Sequence, residues 1–201
     1  MTDFFAVFGE QRRPWLEAEV LKQKFLALSA EAHPDRAHTA GAQERQQAQD
    51  RYTSLNAAYQ VLREPKERLR HLIELERGTK PGQIQRIPSD LMNLSLEVGE
   101  ICRQADALVQ EKAKTSSPLL QVQVFERAQA ATEKLGAVQR SLEPRREEIL
   151  EQIRALDATW DEAGDPGRST SLARLEELYP LLTYYERWIA QARERIVQLA
   201  F

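Results

Sequence analysis

The sequence predicts an all-α protein, and three observations carry that reading. Apolar residues recur at helical steps of three and four along most of the chain, while the period-two alternation of a strand is missing throughout. Glycine and proline are few, 8 and 9 among 201 residues, and they fall where helices should start or stop. Hydrophobic residues make up 42% and charged residues 29%, the balance of a globular chain that buries a core.

Taken in order, Phe4, Phe5 and Phe8 form a short apolar turn or helix that stops at Gly9. Pro14 suits the first turn of the next helix. That helix carries Leu21, Phe25, Leu28 and Ala32 at steps of four, three and four, one stripe for burial. A corner, His33-Pro34-Asp35, follows. The next helix runs from about Gln43 to Arg63 with Ala48, Tyr52, Leu55, Tyr59 and Leu62 in line, so the two make an antiparallel hairpin. Pro65 opens a fourth helix with Leu69, Leu72 and Ile73 inward and His71 on its flank. The stretch 78-GTKPGQIQRIP-88 has no stripe and reads as a linker. This divides the chain into residues 1–77, a linker at 78–88 and a second part at 89–201.

In the second part Ser89 suits an N-cap. The helix after it has a seam of Leu91, Leu94, Val98, Ile101, Ala105 and Leu108. Ser117-Pro118 starts another, with Val124, Ala128, Ala131, Leu135, Val138 and Leu142 as its seam. Pro144 is expected to break or kink it, and Ile149, Ile153, Leu156 and Trp160 continue beyond. The segment 164-GDPGRSTS-171 reads as a loop and cap. The last helix buries Leu172, Leu175, Tyr179, Leu182, Ile189, Ala192, Ile196 and Leu199, with a kink expected at Pro180. Three long helices with short connections imply an antiparallel three-helix bundle.

Charge and composition exclude several functions. A net charge of −3 and a pI near 5.8 argue against a general nucleic-acid binder. Cys102, the only cysteine, allows no internal disulfide, no zinc set and no iron–sulfur cluster, which usually needs about four thiolate-type ligands. No apolar run approaches about 18 residues, and MTDFFAVFGE is too short and acidic for a signal peptide, so the expectation is a cytoplasmic chain without a membrane partner or cofactor.

The corner 31-EAHPDRAHT-39 has four readings. As a helix stop it needs only proline's restriction of its predecessor and a turn-forming Asp. As a catalytic pair, His33 and Asp35 lack a neighbouring nucleophile and a pocket, so no catalytic residue is assigned. As a metal site, His33, Asp35 and His38 lack a fourth ligand and a regular spacing. As a contact loop it gains from context: a Phe-rich first helix, a striped hairpin on either side, and 54-SLNAAYQVLREPKER-68 joining the third and fourth helices. Together these residues resemble a J domain, the module by which J-proteins drive ATP hydrolysis by heat-shock ATPases of the HscA/DnaK class. The resemblance covers residues 1 to about 75. It implies that His33, Pro34 and Asp35 dock on the chaperone, with Arg36, Lys22 and Lys24 as a basic surround. Pro34 would present the loop rigidly, and Asp35 could accept a charge-assisted hydrogen bond from an arginine.

The order of J domain, linker and helical bundle is similar to that of the HscB family of iron–sulfur co-chaperones. 4-FFAVFG-9 matches the family's opening aromatic motif, 90-DLMNLSLEVGE-100 its Leu-Met-containing acidic helix, and the chain closes on 199-LAF-201. The resemblance implies a non-enzymatic activator that brings the scaffold protein IscU to the chaperone and aids cluster transfer. It points to Met92, Leu96, Glu97 and Glu100 as scaffold contacts, with Tyr184 on the last helix. Helical geometry adds its own argument, because at about 100° per residue Met92, Leu96, Glu100 and Arg103 fall opposite the Leu91–Leu108 seam. The pattern also departs from the family: Leu91-Met92 stands one residue off, Gly99 sits mid-helix, and extra length is expected between Lys114 and Pro144. The competing reading is a J-protein adaptor for a different client, its bundle used for dimerisation. The expected state is a monomer or weak dimer.

Overall fold

The computed structural model describes residues 2–33, 41–82, 89–160 and 165–200. Among them every regular element is a helix, seven in order: α1 (Phe4–Phe8), α2 (Ala18–Glu31), α3 (Ala42–Arg63), α4 (Pro65–Arg77), α5 (Ser89–Lys114), α6 (Pro118–Ala158) and α7 (Asp165–Ala200). The all-α expectation therefore holds. Spatially the chain forms two compact units, Met1–Gly82 with Leu150–Tyr179, and Gln83–Ile149 with Pro180–Phe201. Helices α6 and α7 each contribute residues to both.

The first unit is built on aromatic packing. Asp3 caps α1 by accepting from the Phe5 and Ala6 amides, and Gly9 ends it at φ 62°, a left-handed value that suits glycine. Phe5 and Phe8 are buried. Phe8 stacks on Phe25 of α2 and Tyr59 of α3, which in turn stack at 4.1 Å. Farther along the hairpin the His33 and Tyr52 rings meet edge to face at 5.6 Å, so α2 and α3 run antiparallel. Pro65 occupies the first turn of α4, whose Leu69, Leu72 and Ile73 are fully buried.

Pro14 does not start a helix. The backbone around it is held by tertiary contacts instead: the Pro14 carbonyl accepts from Arg68 at 3.0 Å, and the Trp15 amide donates to Asp157 at 3.0 Å. Helix α2 consequently begins at Ala18. Arg68 is buried, also donates to the Leu62 carbonyl at 2.6 Å, and lies over the Trp15 ring. Burial lowers its pKa to about 10, opposed by the charges of Asp157, Glu17 and Glu64, so it stays a cation at neutral pH. His71, expected on a flank, is buried against Phe4 and Phe5 and accepts the Phe4 amide at 3.1 Å.

Residues 150–179 close this unit. Arg13 grips Asp157 through two nitrogens at 3.0 and 2.5 Å, and the buried Trp160 indole donates to the Arg12 carbonyl at 2.8 Å. Arg77 pairs bidentately with Glu176 at 2.9 and 2.8 Å. Arg168 lies over the Trp160 ring at 4.9 Å and reaches Glu76 at 3.2 Å. Those contacts hold Arg168 within α7, which begins at Asp165, so the loop expected through 171 is helical from 165 onward.

In the second unit α5 and α6 run antiparallel, with Arg127 paired to Glu111 at 2.7 Å. Helix α7 runs parallel to α5: Arg195 pairs with Asp106 at 2.9 Å, and Lys112 donates to the Leu199 carbonyl at 3.0 Å. Arg146 of α6 faces Glu186 of α7 at 3.6 Å. The seam of α5 passes through the buried Cys102 rather than the half-buried Ile101, and that of α7 gains Leu178, Tyr185 and Trp188. Helix α6 is not broken at Pro144, which sits exposed, where water can hydrate the carbonyl its missing N–H leaves unpaired.

Candidate functional site

The hairpin loop is the first candidate. Helix α2 ends with Ala32 as its cap, and His33 stands exposed beyond it beside Tyr52. Pro34, Asp35 and Arg36 lie outside the described residues. The two lysines expected beside the loop part company. Lys22 is exposed, 3.7 Å from Glu19. Lys24 turns the other way, to the Glu10 carboxylate at 2.5 Å and the Gly9 carbonyl at 3.1 Å, where it secures the end of α1. At about 100° per residue Lys22, Leu26 and Ala30 share one line along α2, whereas Lys24 points away from it. Leu26 is 58% exposed on that line. Its place outside the Leu21/Phe25/Leu28 stripe is readable from the sequence, yet a lone exposed leucine carries no signal by itself.

The second candidate is the outward face of α5. Met92 is 47% and Leu96 66% exposed, while Leu91, Val98 and Cys102 behind them are buried. Glu97 and Glu100 are exposed on the same stretch. Glu100 is not isolated: it pairs with Arg103 and accepts from Gln104 at 2.9 Å. Tyr184 on α7 is half-buried, packed on Trp188 at 5.6 Å with the Arg187 guanidinium 5.0 Å above its ring. The α5–α7 contacts pair residues 89 and 87 positions apart. Carried along the parallel helices, that offset sets Tyr184 level with about residues 95 to 97 of α5. The face is therefore apolar and acidic, with an aromatic ring at its level on the neighbouring helix. It offers contact area and carboxylate acceptors.

Comparison with known proteins finds relatives in sequence and in fold. A co-chaperone HscB homolog of Chromobacterium violaceum is 32% identical over 106 residues, 52% of this chain and 61% of the relative. The chain is similar to the HscB co-chaperones. An HscB homolog of Bordetella pertussis is 42% identical over 72 residues, 36% of this chain and 42% of the relative. The matches thus cover less than two thirds of either relative's length. In structure, the chaperone HscB from Vibrio cholerae superposes over 98% of this chain and 99% of its own, with TM-score 0.57 and 19% identity. Human co-chaperone HscB matches over 96% of this chain and 82% of its own, with TM-score 0.63 and 15% identity. At those identities the likeness to the HscB structures is one of fold. No protein-family model matches the chain. Among the described residues no helix is long and apolar enough to cross a membrane.

Proposed function

We propose that the chain is a J-protein co-chaperone of iron–sulfur cluster assembly and not itself an enzyme. Residues 1–77 dock on an HscA/DnaK-class chaperone and stimulate its ATPase. Residues 89–201 carry the scaffold protein IscU to it. The observation that carries the reading is the antiparallel α2–α3 hairpin with His33 exposed at its corner, in a chain similar to HscB co-chaperones. His33, Pro34 and Asp35 form the contact. Lys22 and Leu26, exposed on one line of α2, extend it, with Arg36 adding positive charge beside the loop. Lys24 supports the surface by fixing α1. On the second face Met92 and Leu96 provide apolar area, Glu97 and Glu100 the acceptors, and Tyr184 an aromatic edge.

The test is the steady-state ATPase of the chaperone with wild type and with His33→Gln. Wild type is expected to stimulate, and the variant to lose most of the stimulation with its helix content intact. Equal stimulation by both would reject the docking role. For the second face, titration of IscU against Leu96→Ala and Glu100→Ala is expected to weaken binding by about tenfold for the leucine, the scale of one apolar anchor, and by less for the glutamate. Unchanged affinity in both variants would reject it.

A further inference from the structure

We infer that the start of α6 is a self-association surface that receives the same helix of a second copy of this chain, in antiparallel contact. Leu119, Leu120, Val122 and Phe125 are 72%, 51%, 57% and 65% exposed. Single exposed apolar residues are ordinary, but Leu119, Val122 and Phe125 stand on one side of the helix within two turns, Leu120 lying on another, and three large ones in line form a patch that a chain leaves uncovered at a contact site. It is separate from the face of α5 described above. Met92 lies near the beginning of α5, while this patch adjoins its end, about 30 Å farther along at 1.5 Å per residue.

The face has a direction. Leu119, Val122 and Phe125, at steps of three, lie away from the buried Val124/Ala128/Ala131 seam. Beyond them the same side continues as the exposed Glu126, Gln129 and Glu133. Its other end is cationic: α6 has no acid in its first turn, and α5 ends on Lys112 and Lys114. A parallel pair of such helices would set acid on acid. An antiparallel pair sets Glu126 of one copy toward the other's cationic helix start. With the two-fold axis at Val122, Leu119 meets Phe125 twice. Such a contact is isologous and closes at a dimer. Val122 and Phe125, with Pro118, Thr115 and Gln121, also line an open groove of about 660 Å³ that can admit the partner's apolar side chains.

Light scattering of the whole chain from low to high micromolar concentration tests this. The mass is expected to rise from 23.1 kDa toward twice that value. Phe125→Glu is expected to hold the chain at monomer mass with unchanged helix content, since the side chain it replaces is exposed. Leu96→Ala is expected to dimerise as wild type does, which separates this surface from the proposed scaffold face. In a Cys102→Ser background, Val122→Cys is expected to give a disulfide-linked dimer on mild oxidation, because the two-fold brings the introduced thiols together. A monomer at every concentration would overturn the proposal and leave the patch to a different protein. So would a dimer that Phe125→Glu leaves intact, or one that the introduced thiols fail to link.

Discussion

His71 shows what one residue can decide. Its Nε2 accepts the Phe4 amide, and its ring stacks on Phe5 and meets Phe4 at a tilt, so the short helix α1 is held to α4 through a neutral imidazole. Burial lowers its pKa below the ordinary 6.5; Asp3 and Glu74 oppose the shift, and Arg70 and Arg12 add to it. Protonation would remove the acceptor and bury a cation. The folded state therefore binds this proton less readily than the unfolded state does, so its stabilisation is present above about pH 6.5 and is lost as the pH falls through that value toward the folded pKa. Urea unfolding at pH 7 and pH 5 is expected to show a larger loss for wild type than for His71→Gln, whose amide oxygen can accept at both. An equal loss in the two proteins would show that His71 is not responsible. The sequence did not announce this role. His71 stands between Arg70 and Leu72 on a helix rich in charge, and only the Phe4 amide, 67 residues away, explains its burial.

At the scale of elements the apolar stripes were the legible part, because three-four periodicity records which side of a helix meets another. The α2 and α3 stripes meet as Phe25 on Tyr59, and the outward position of Met92 and Leu96 followed from the seam behind them. Helix ends were less legible wherever a distant side chain intervenes. Pro14 looked like a helix start, yet its neighbours are bound to Arg68 and Asp157. Asp157 is the clearest case of such a distant partner. Only 8% exposed, it accepts two bonds from Arg13 and one from the Trp15 amide, joining α6 to the segment that precedes α2. Asp157→Ala removes the acceptor of two Arg13 bonds and of the Trp15 amide. That should cost about 2–4 kcal/mol, more than a surface ion pair would. The check is the urea midpoint, with Arg154→Ala as the control. Arg154 pairs with an exposed Glu17 at 2.7 Å and should cost under about 1 kcal/mol. Equal costs for the two would mean that the Asp157 contacts add nothing beyond a surface pair.

For the whole molecule the question is where the chain can be cut. Composition places a linker at 78–88, and a fragment ending there keeps all of α1 to α4. Several of the contacts that hold those helices, however, come from residues 150–179. Trp160 bonds the Arg12 carbonyl, Asp157 holds Arg13 and Trp15, Glu176 clasps Arg77, and Arg168 meets Glu76. No periodicity within residues 1–77 could reveal this, because the partners are single polar side chains far along the chain. A fragment of residues 1–82 is therefore expected to form the α2–α3 hairpin, whose Phe8, Phe25 and Tyr59 stack lies wholly inside it, but with reduced stability. Losing the Asp157 and Trp160 bonds together should lower the protection of α3 amides against hydrogen exchange by at least the ~2–4 kcal/mol expected for Asp157→Ala alone, relative to the intact chain. If α3 amides exchange equally slowly in the fragment and in the whole protein, residues 150–179 contribute nothing to the hairpin. Residues 1–82 would then be independent in the sense that the linker composition suggests.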